Sequence, residues 1–421
     1  MVVGTRKSET RFRRLSAAGI FFQGGAAAVD SSTIIATLVH GLTANTYAVG
    51  AASAILRYGW LFPQIFVAYL AQRHQRRMPF YMVGAFGRAA CLVAIAGILG
   101  LAGWLPHGVV VALFFVLWTT YAFVSGIVAV PYNDIVARSV ASERRSRLLA
   151  IRFFGGGLLA LGVAAAADRF LNSLVFPDGY AAIVLLGAGL LLVSSLSFVS
   201  AGEPIAPQPP ASGDGFTNFL RSGIEVFRTD GRFRLFVYAQ WLGGAVTMAL
   251  PFYVLQVIAT EGTASQVAFL LAAQTAGALL SNALWGWWGD RYSKRSLYEG
   301  VALLRAVPPL LIIVWIYMVG IWPIPTISGF ATVFFLLGAV GNGITIAVIG
   351  YLMEISPDDR RPAYSGYFNA LVAPAALLPL AGAAIVEATS LTGVFAVSLG
   401  AAFLQFLIIR RLRDLPAESV K

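Results

Sequence analysis

Cysteine and charge are what this sequence has least of. A single cysteine, Cys91, stands in 421 residues, inside an apolar run, so neither a disulfide framework nor a cysteine-based metal site is available. The three histidines, His40, His74 and His107, are far apart and form no ligand motif. Charged residues make up 12% of the chain, against roughly 25% in a soluble domain, which excludes a large soluble part. There is no Gly-rich phosphate loop, metal cluster or nucleophile triad, so ATP coupling and soluble-type enzymology are not expected, and no cofactor is expected either. What is abundant is apolar sequence: 58% of residues are hydrophobic and the mean hydropathy is +0.77.

A membrane-spanning helix needs about 20 mostly apolar residues. Twelve such runs are expected, near 16–39, 46–72, 79–104, 109–136, 148–170, 180–201, 235–259, 264–288, 296–320, 327–355, 364–388 and 392–409. Asp30 and Arg57 interrupt the first two. The net charge of +11 invites a nucleic-acid reading, but the placement of the charges refutes it. With twelve spans, both termini and the loops after even-numbered spans share one side, and 26 of the 30 Lys and Arg fall there. The other four, Arg57, Arg88, Arg169 and Arg305, lie within spans. Short cytoplasmic loops collect Lys and Arg, so both termini are expected in the cytoplasm, with the chain in a bacterial inner membrane. The first apolar run lacks a convincing cleavage site and is expected to stay as a span rather than act as a signal peptide.

One connection is long. Residues 202–232 begin with "GEPIAPQPPASGDG", a flexible-linker composition, and then place Phe216, Phe219, Leu220, Ile224 and Phe227 at helical spacing. That pattern predicts a short amphipathic helix on the inner membrane surface, or a regulatory docking site.

The chain also repeats itself. "LWGWWGDRYSKRSLYEG" from Leu284 aligns with "FVAYLAQRHQRRMPFYM" from Phe66, so that Asp290 falls on Gln72, Arg291 on Arg73 and Arg295 on Arg77. Arg88 maps to Arg305, and "SERRSR" from Ser142 to "PDDRRP" from Pro357. Two six-helix halves are therefore expected, 1–201 and 233–421, joined by the 202–232 linker; repeats of this kind build many secondary transporters.

The loop pattern Gly-x-x-x-Asp-Arg-x-x-(Lys/Arg)-(Arg/Lys), carried here by Gly286, Asp290, Arg291, Lys294 and Arg295, is similar to the signature of the major facilitator superfamily. The resemblance covers essentially the whole chain when the twelve spans, the repeat and the central loop are added. It implies an all-α membrane protein of two pseudo-symmetric six-helix bundles, coupled to an ion gradient, most often protons, as in symport. This sequence departs from the family at Ser293, where glycine is usual, and at Gln72 and Ala71 in the first copy; the glycine run "FFGGGLLALGVA" of the fifth span lacks its usual proline. Asp290 at a helix end is suited to accept backbone N–H groups of a neighbouring helix, and the cations to pair across the gap, so these five residues read as a cytoplasmic gate.

Ionisable groups at membrane depth are expensive and mark function by default. Asp30 and Arg57 reach similar depth in the outer half and are expected to partner each other, as a proton or substrate-charge site or as a structural tie. Asp30 is the proton-coupling candidate. Arg88 and Arg305 are expected to be structural, received by Asp134 and Glu354 at the ends of the fourth and tenth spans. The substrate cavity is expected to draw on Gln23, Arg57, Tyr58, Trp60, Gln64, Gln240, Tyr253, Gln274, Asn282, Asn342, Tyr367 and Asn369. Pro63, Pro251, Pro308 and Pro309 are expected to kink their helices.

These features point to a monomeric secondary transporter that moves a small organic solute, amphiphilic or anionic, by alternating access. Its partners are the bilayer, the solute and protons, not nucleic acid. Two alternatives remain open at this stage: a lipid or lysolipid translocator on the same fold, and a non-transporting assembly factor for membrane complexes, which a cavity without buried charge would mark.

Overall fold

A computed structural model describes residues 2–71, 74–140, 142–204, 215–261, 266–318, 326–356 and 361–412. Every regular element among them is helical, as a bilayer demands, because a helix satisfies its own backbone N–H and C=O groups. In chain order the helices are α1 (Val2–Ala28), α2 (Ile34–Thr43), α3 (Thr46–Ala71), α4 (Met78–Gly100), α5 (His107–Ser139), α6 (Ser142–Ser173) and α7 (Asp178–Ala201). Next come α8 (Phe216–Thr229), α9 (Gly231–Thr247), α10 (Leu250–Glu261), α11 (Val267–Arg291), α12 (Lys294–Leu304) and α13 (Val307–Met318). The last are α14 (Thr326–Ile355), α15 (Arg361–Val372), a 3-10 turn (Ala373–Leu377), α16 (Leu378–Ala388) and α17 (Leu391–Arg411).

Ten stretches of these helices are long and apolar enough to cross a membrane, and α1–α2 and α3 complete the twelve spans. The described bounds differ from the sequence reading mainly in that four spans are broken: the first at Asp30, the seventh at Met248, the ninth at Arg305 and the eleventh through its 3-10 turn. Two breaks have one cause. Pro251 and Pro308 sit second in α10 and α13, and each proline ring collides with the carbonyl four residues earlier, at Thr247 and Leu304, where the preceding helix stops. Pro63, by contrast, lies inside a continuous α3.

The core decides the architecture. At the face away from the chain termini, one hydrophobic cluster takes side chains from both halves: Ile35, Leu38 and Leu92 from the first, Phe252, Leu270 and Phe334 from the second. At the face that carries the termini and the basic loops, the core is two separate clusters. Phe12, Tyr81, Ile135 and Phe198 form one, wholly in the first half; Phe236, Tyr298, Tyr351 and Ile409 form the other, wholly in the second. The halves thus share one core at the far face and keep separate cores at the basic face, where α8 and α15 still reach α3.

Helix α8 forms where the apolar spacing predicts it, but its rings lie on protein. Phe216 stacks on Phe66 of α3 at 5.4 Å, and Phe227 meets Tyr238 of α9 edge-on at 5.7 Å. The helix therefore bridges the two halves rather than lying free on the membrane surface; Ile224 stays exposed, and the side chains of Phe219 and Leu220 lie outside the described residues.

Candidate functional site

Between the halves lies a cavity of about 340 Å³ lined by α1, α6, α9, α10, α11, α12–α13 and α14. Three of the four helix breaks face it, through Asp30, Thr247 and Arg305. Interrupted helices leave carbonyls and N–H groups free for ligands.

Of the expected cavity residues, Gln23, Tyr253, Gln274, Asn282 and Asn342 do line it, as does Asp30. Asn342 donates to Asn282 Oδ1 at 3.3 Å and to the Ala278 carbonyl at 3.1 Å, which ties α14 to α11 along the wall. The others are elsewhere. Tyr58 stacks with Phe62 and meets Phe123 edge-on, Trp60 is 46% exposed on the outer surface, and Gln64 donates to the Trp60 carbonyl of its own helix. Gln240 donates to Tyr298 Oη at 2.7 Å. Tyr367 packs against Gly223 of α8, and Asn369, half-buried on α15, is not part of the lining.

Asp30 and Arg57 do not form the expected contact pair. Because the first span breaks at Asp30, its carboxylate folds onto its own turn: Oδ1 accepts from Ser32 N at 3.0 Å, Ser32 Oγ at 2.6 Å and Thr33 Oγ1 at 2.8 Å. Arg57 reaches instead across to the second half, donating to Thr247 Oγ1 at 2.6 Å at the end of α9. It lies behind the cavity wall rather than in it.

Arg305 is the converse correction. It was expected to snorkel to Glu354, but Glu354 is exposed and the guanidinium turns inward, 5% exposed, into the cavity lining. Its Nη1 donates to Gln405 Oε1 at 2.8 Å and its Nη2 to the Gly243 carbonyl at 2.9 Å. A Cβ at residue 243 would sit 2.7 Å from Gln405 Nε2 and 3.1 Å from Arg305 Nη1, so only glycine admits this arrangement. Both arginines thus converge on the C-terminal end of α9, where the helix dipole favours cations. The proline-induced break is what exposes that end.

Arg88, the repeat mate of Arg305, also lacks its expected acid. It is 3% exposed and lies over the Phe22 ring at 5.0 Å, with Arg152 over the same ring at 5.1 Å. Asp134 is taken by Arg77 at 2.6 Å and by Arg138. Arg138 continues to Glu203 at 2.9 Å, and Glu203 accepts the backbone N–H groups of Arg77 and Met78 at 2.8 and 2.9 Å. Burial opposes ionisation of Glu203, yet Arg138 and the two N–H groups hold its carboxyl below the ordinary value. Sequence reasoning missed this network; Glu203 was read as part of the linker.

At the basic face, Lys294 donates to the Gly289 carbonyl at 2.7 Å, Arg291 is exposed and Arg295 half-buried, and Gly286 has open space around it. The side chain of Asp290 and all of Gln72 and Arg73 lie outside the described residues.

A sequence model of the Major Facilitator Superfamily matches residues 245–421. The uncharacterized protein Rv2209 of Mycobacterium tuberculosis is 23% identical over 361 residues, which cover 83% of this chain and 66% of that protein. The uncharacterized protein Mb2232 of Mycobacterium bovis aligns with the same figures. This chain therefore spans just under two thirds of the length of the curated relatives it matches. Among solved structures, a POT family transporter in complex with a thioalcohol-conjugated peptide aligns with a TM-score of 0.73 at 13% identity, covering 96% of each chain. The nucleoside transporter NupG aligns with a TM-score of 0.70 at 13% identity, covering 96% of this chain and 100% of that one. A bacterial homologue of the iron transporter ferroportin, outward-facing, gives 0.67 at 14% identity, with coverages of 96% and 100%. Residues 245–421 thus match the Major Facilitator Superfamily in sequence, and the chain as a whole has the fold of these transporters.

Proposed function

We propose that this protein is a secondary active transporter that moves a small organic solute, amphiphilic or anionic, by alternating access, with protons as the coupling ion. The observation that carries the reading is the divided core. One cluster unites the halves at the far face, two clusters stand apart at the basic face, and a cavity lined by ionisable and amide side chains lies between. A site reachable from one side at a time is what alternating access requires.

On the Lys and Arg distribution, the basic face is placed in the cytoplasm of a bacterial inner membrane, which makes the present arrangement inward-open. Residues 1–201 and 233–421 are the two moving units, with 202–232 as the linker between them, and the transporter acts as a monomer. Gly286, Asp290, Arg291, Lys294 and Arg295 are the cytoplasmic gate, making their cross-half contacts only when that side shuts. Asp30, in the cavity wall at a helix break, is the proton carrier. A non-transporting assembly factor fits less well, because the cavity holds both Asp30 and Arg305. The neighbours' nucleoside, peptide and iron cargoes do not choose a solute for this chain at 12–14% identity.

The test is reconstitution. Purified protein in liposomes, given a panel of labelled organic acids with and without an imposed pH gradient, should accumulate at least one of them only with the gradient. Uptake indistinguishable from empty liposomes across the panel would overturn the transporter reading.

A further inference from the structure

The cavity presents two unmet hydrogen-bonding demands of opposite kind. The first is Arg305. Its guanidinium carries five N–H donors, and two of them go to neutral acceptors, Gln405 Oε1 and the Gly243 carbonyl. No carboxylate lies within ion-pair distance of it among the described residues. The only acid in the lining, Asp30, already accepts three hydrogen bonds from Ser32 and Thr33. A buried cation held only by neutral groups lacks the counter-charge that normally offsets its desolvation.

The second is Gln274, whose Oε1 is buried without a partner. The orientation of this amide is fixed by a chain of donors. Ser32 Oγ gives its single proton to Asp30, so toward Gln274 it can only accept. Gln274, which lines the cavity, therefore turns its Nε2 to Ser32 Oγ, at 3.4 Å, and leaves Oε1 buried with nothing to accept. Buried acceptors are normally satisfied, and an orphan in a cavity asks for a donor.

Resting on the transporter reading, we propose that the solute is an organic acid that also carries an O–H or N–H donor, its carboxylate bound by Arg305 and its donor by Gln274. Arg57 is not the anion receptor, because it does not line the cavity; its Nη1 donates to Thr247, which does. Gln405 and Gly243 are positioning residues: the first aims the guanidinium and the second makes room for it. The rest of the wall, with Phe153, Leu250, Leu279 and Leu337, takes an apolar body.

Three probes of nearly equal size separate the two contacts in the intact protein: mandelate, phenylacetate, which lacks the hydroxyl, and mandelamide, which lacks the charge. Binding is read by thermal shift and titration calorimetry. In the wild type mandelate should bind most tightly, with each of the others weaker by about tenfold, the scale of one lost hydrogen bond to a charged or buried group. Arg305→Gln should erase the preference for mandelate over mandelamide, and Gln274→Leu the preference for mandelate over phenylacetate. Arg57→Gln should preserve both. The wild-type ranking needs no variant to fold: equal binding of acid and amide, or no binding of any probe at millimolar concentration, overturns the proposal. Uptake of labelled mandelate into proteoliposomes is measured in parallel. Binding with the predicted ranking but no uptake would leave the site standing and sink the transporter reading.

Discussion

Arg57 Nη1 lies 2.6 Å from Thr247 Oγ1, joining α3 of one half to the broken end of α9 in the other. A second side-chain hydrogen bond across the halves on the far side of the cavity runs from Gln274 to Ser32. Bonds of this kind exist only while the far face is closed, so they bias the equilibrium between states.

Thr247→Val keeps the shape of the side chain and removes the acceptor. A hydrogen bond to a charged group is worth ~1.5–3 kcal/mol, and every ~1.4 kcal/mol is a factor of ten. The far-open population should rise about tenfold or more. Spin labels at Val175 and Glu387, both exposed at the far face, would report it as a longer-distance component. An unchanged distance distribution would show that the apolar far-face core alone sets the balance.

Asp30 has a structural duty and a proposed proton duty, and two substitutions separate them. Asn at 30 can still accept from Ser32 and Thr33 through its amide oxygen, so Asp30→Asn should fold with near-normal thermal stability. Asp30→Ala loses all three bonds and should cost about 1 kcal/mol, the usual scale for losing a capping side chain. Neither variant should accumulate solute on a pH gradient, whereas Asp30→Asn should retain solute exchange. Full gradient-driven uptake by Asp30→Asn would confine Asp30 to the turn.

Glu203 predicts a pH dependence with a definite sign. Its carboxyl sits below the ordinary 4.5 in the folded protein because Arg138 and two backbone N–H groups outweigh its burial. A carboxylate with a lowered folded value contributes stability above its unfolded value and loses it as pH falls through the folded one. Wild type should therefore be more stable than Glu203→Gln at neutral pH, and the gap should close on acidification below about pH 4.5. Melting curves of the two proteins from pH 7 to 3 check this; a gap that persists at pH 3 contradicts the role of charge.

Helices α11 and α14 cross with backbone against backbone. A Cβ at Gly277 would overlap the Phe335 carbonyl oxygen, and one at Gly338 the Gln274 carbonyl oxygen. Gly277→Ala should cost ~1–3 kcal/mol by overpacking. Gly189→Ala, in α7 with open space around its Cα, should be neutral or stabilising by up to about 1 kcal/mol. Thermal denaturation in detergent compares them, and equal effects would mean that the α11–α14 crossing relaxes freely.

The sequence by itself determined the spans, their number and the doubling of the chain. Spanning needs only a local run of about 20 apolar residues, and the repeat is visible as "GDRYSKR" over "AQRHQRR". It also marked Pro251 and Pro308 as places where helices falter, since proline acts on its own chain four residues back. Asp30 was legible as an ionisable residue out of place. Only the tertiary structure decided what each charge meets. Asp30 turned to its neighbours Ser32 and Thr33, Arg57 crossed to Thr247, and Arg305 entered the cavity that had been assigned to Arg57. The reason is geometric. Depth along a helix follows from counting residues at 1.5 Å each, but a partner also depends on which way the side chain faces and on where another helix breaks. The acceptor for both arginines is the end of α9, which exists because of a proline in the following segment, and which no pairing of acids with bases along the sequence contains.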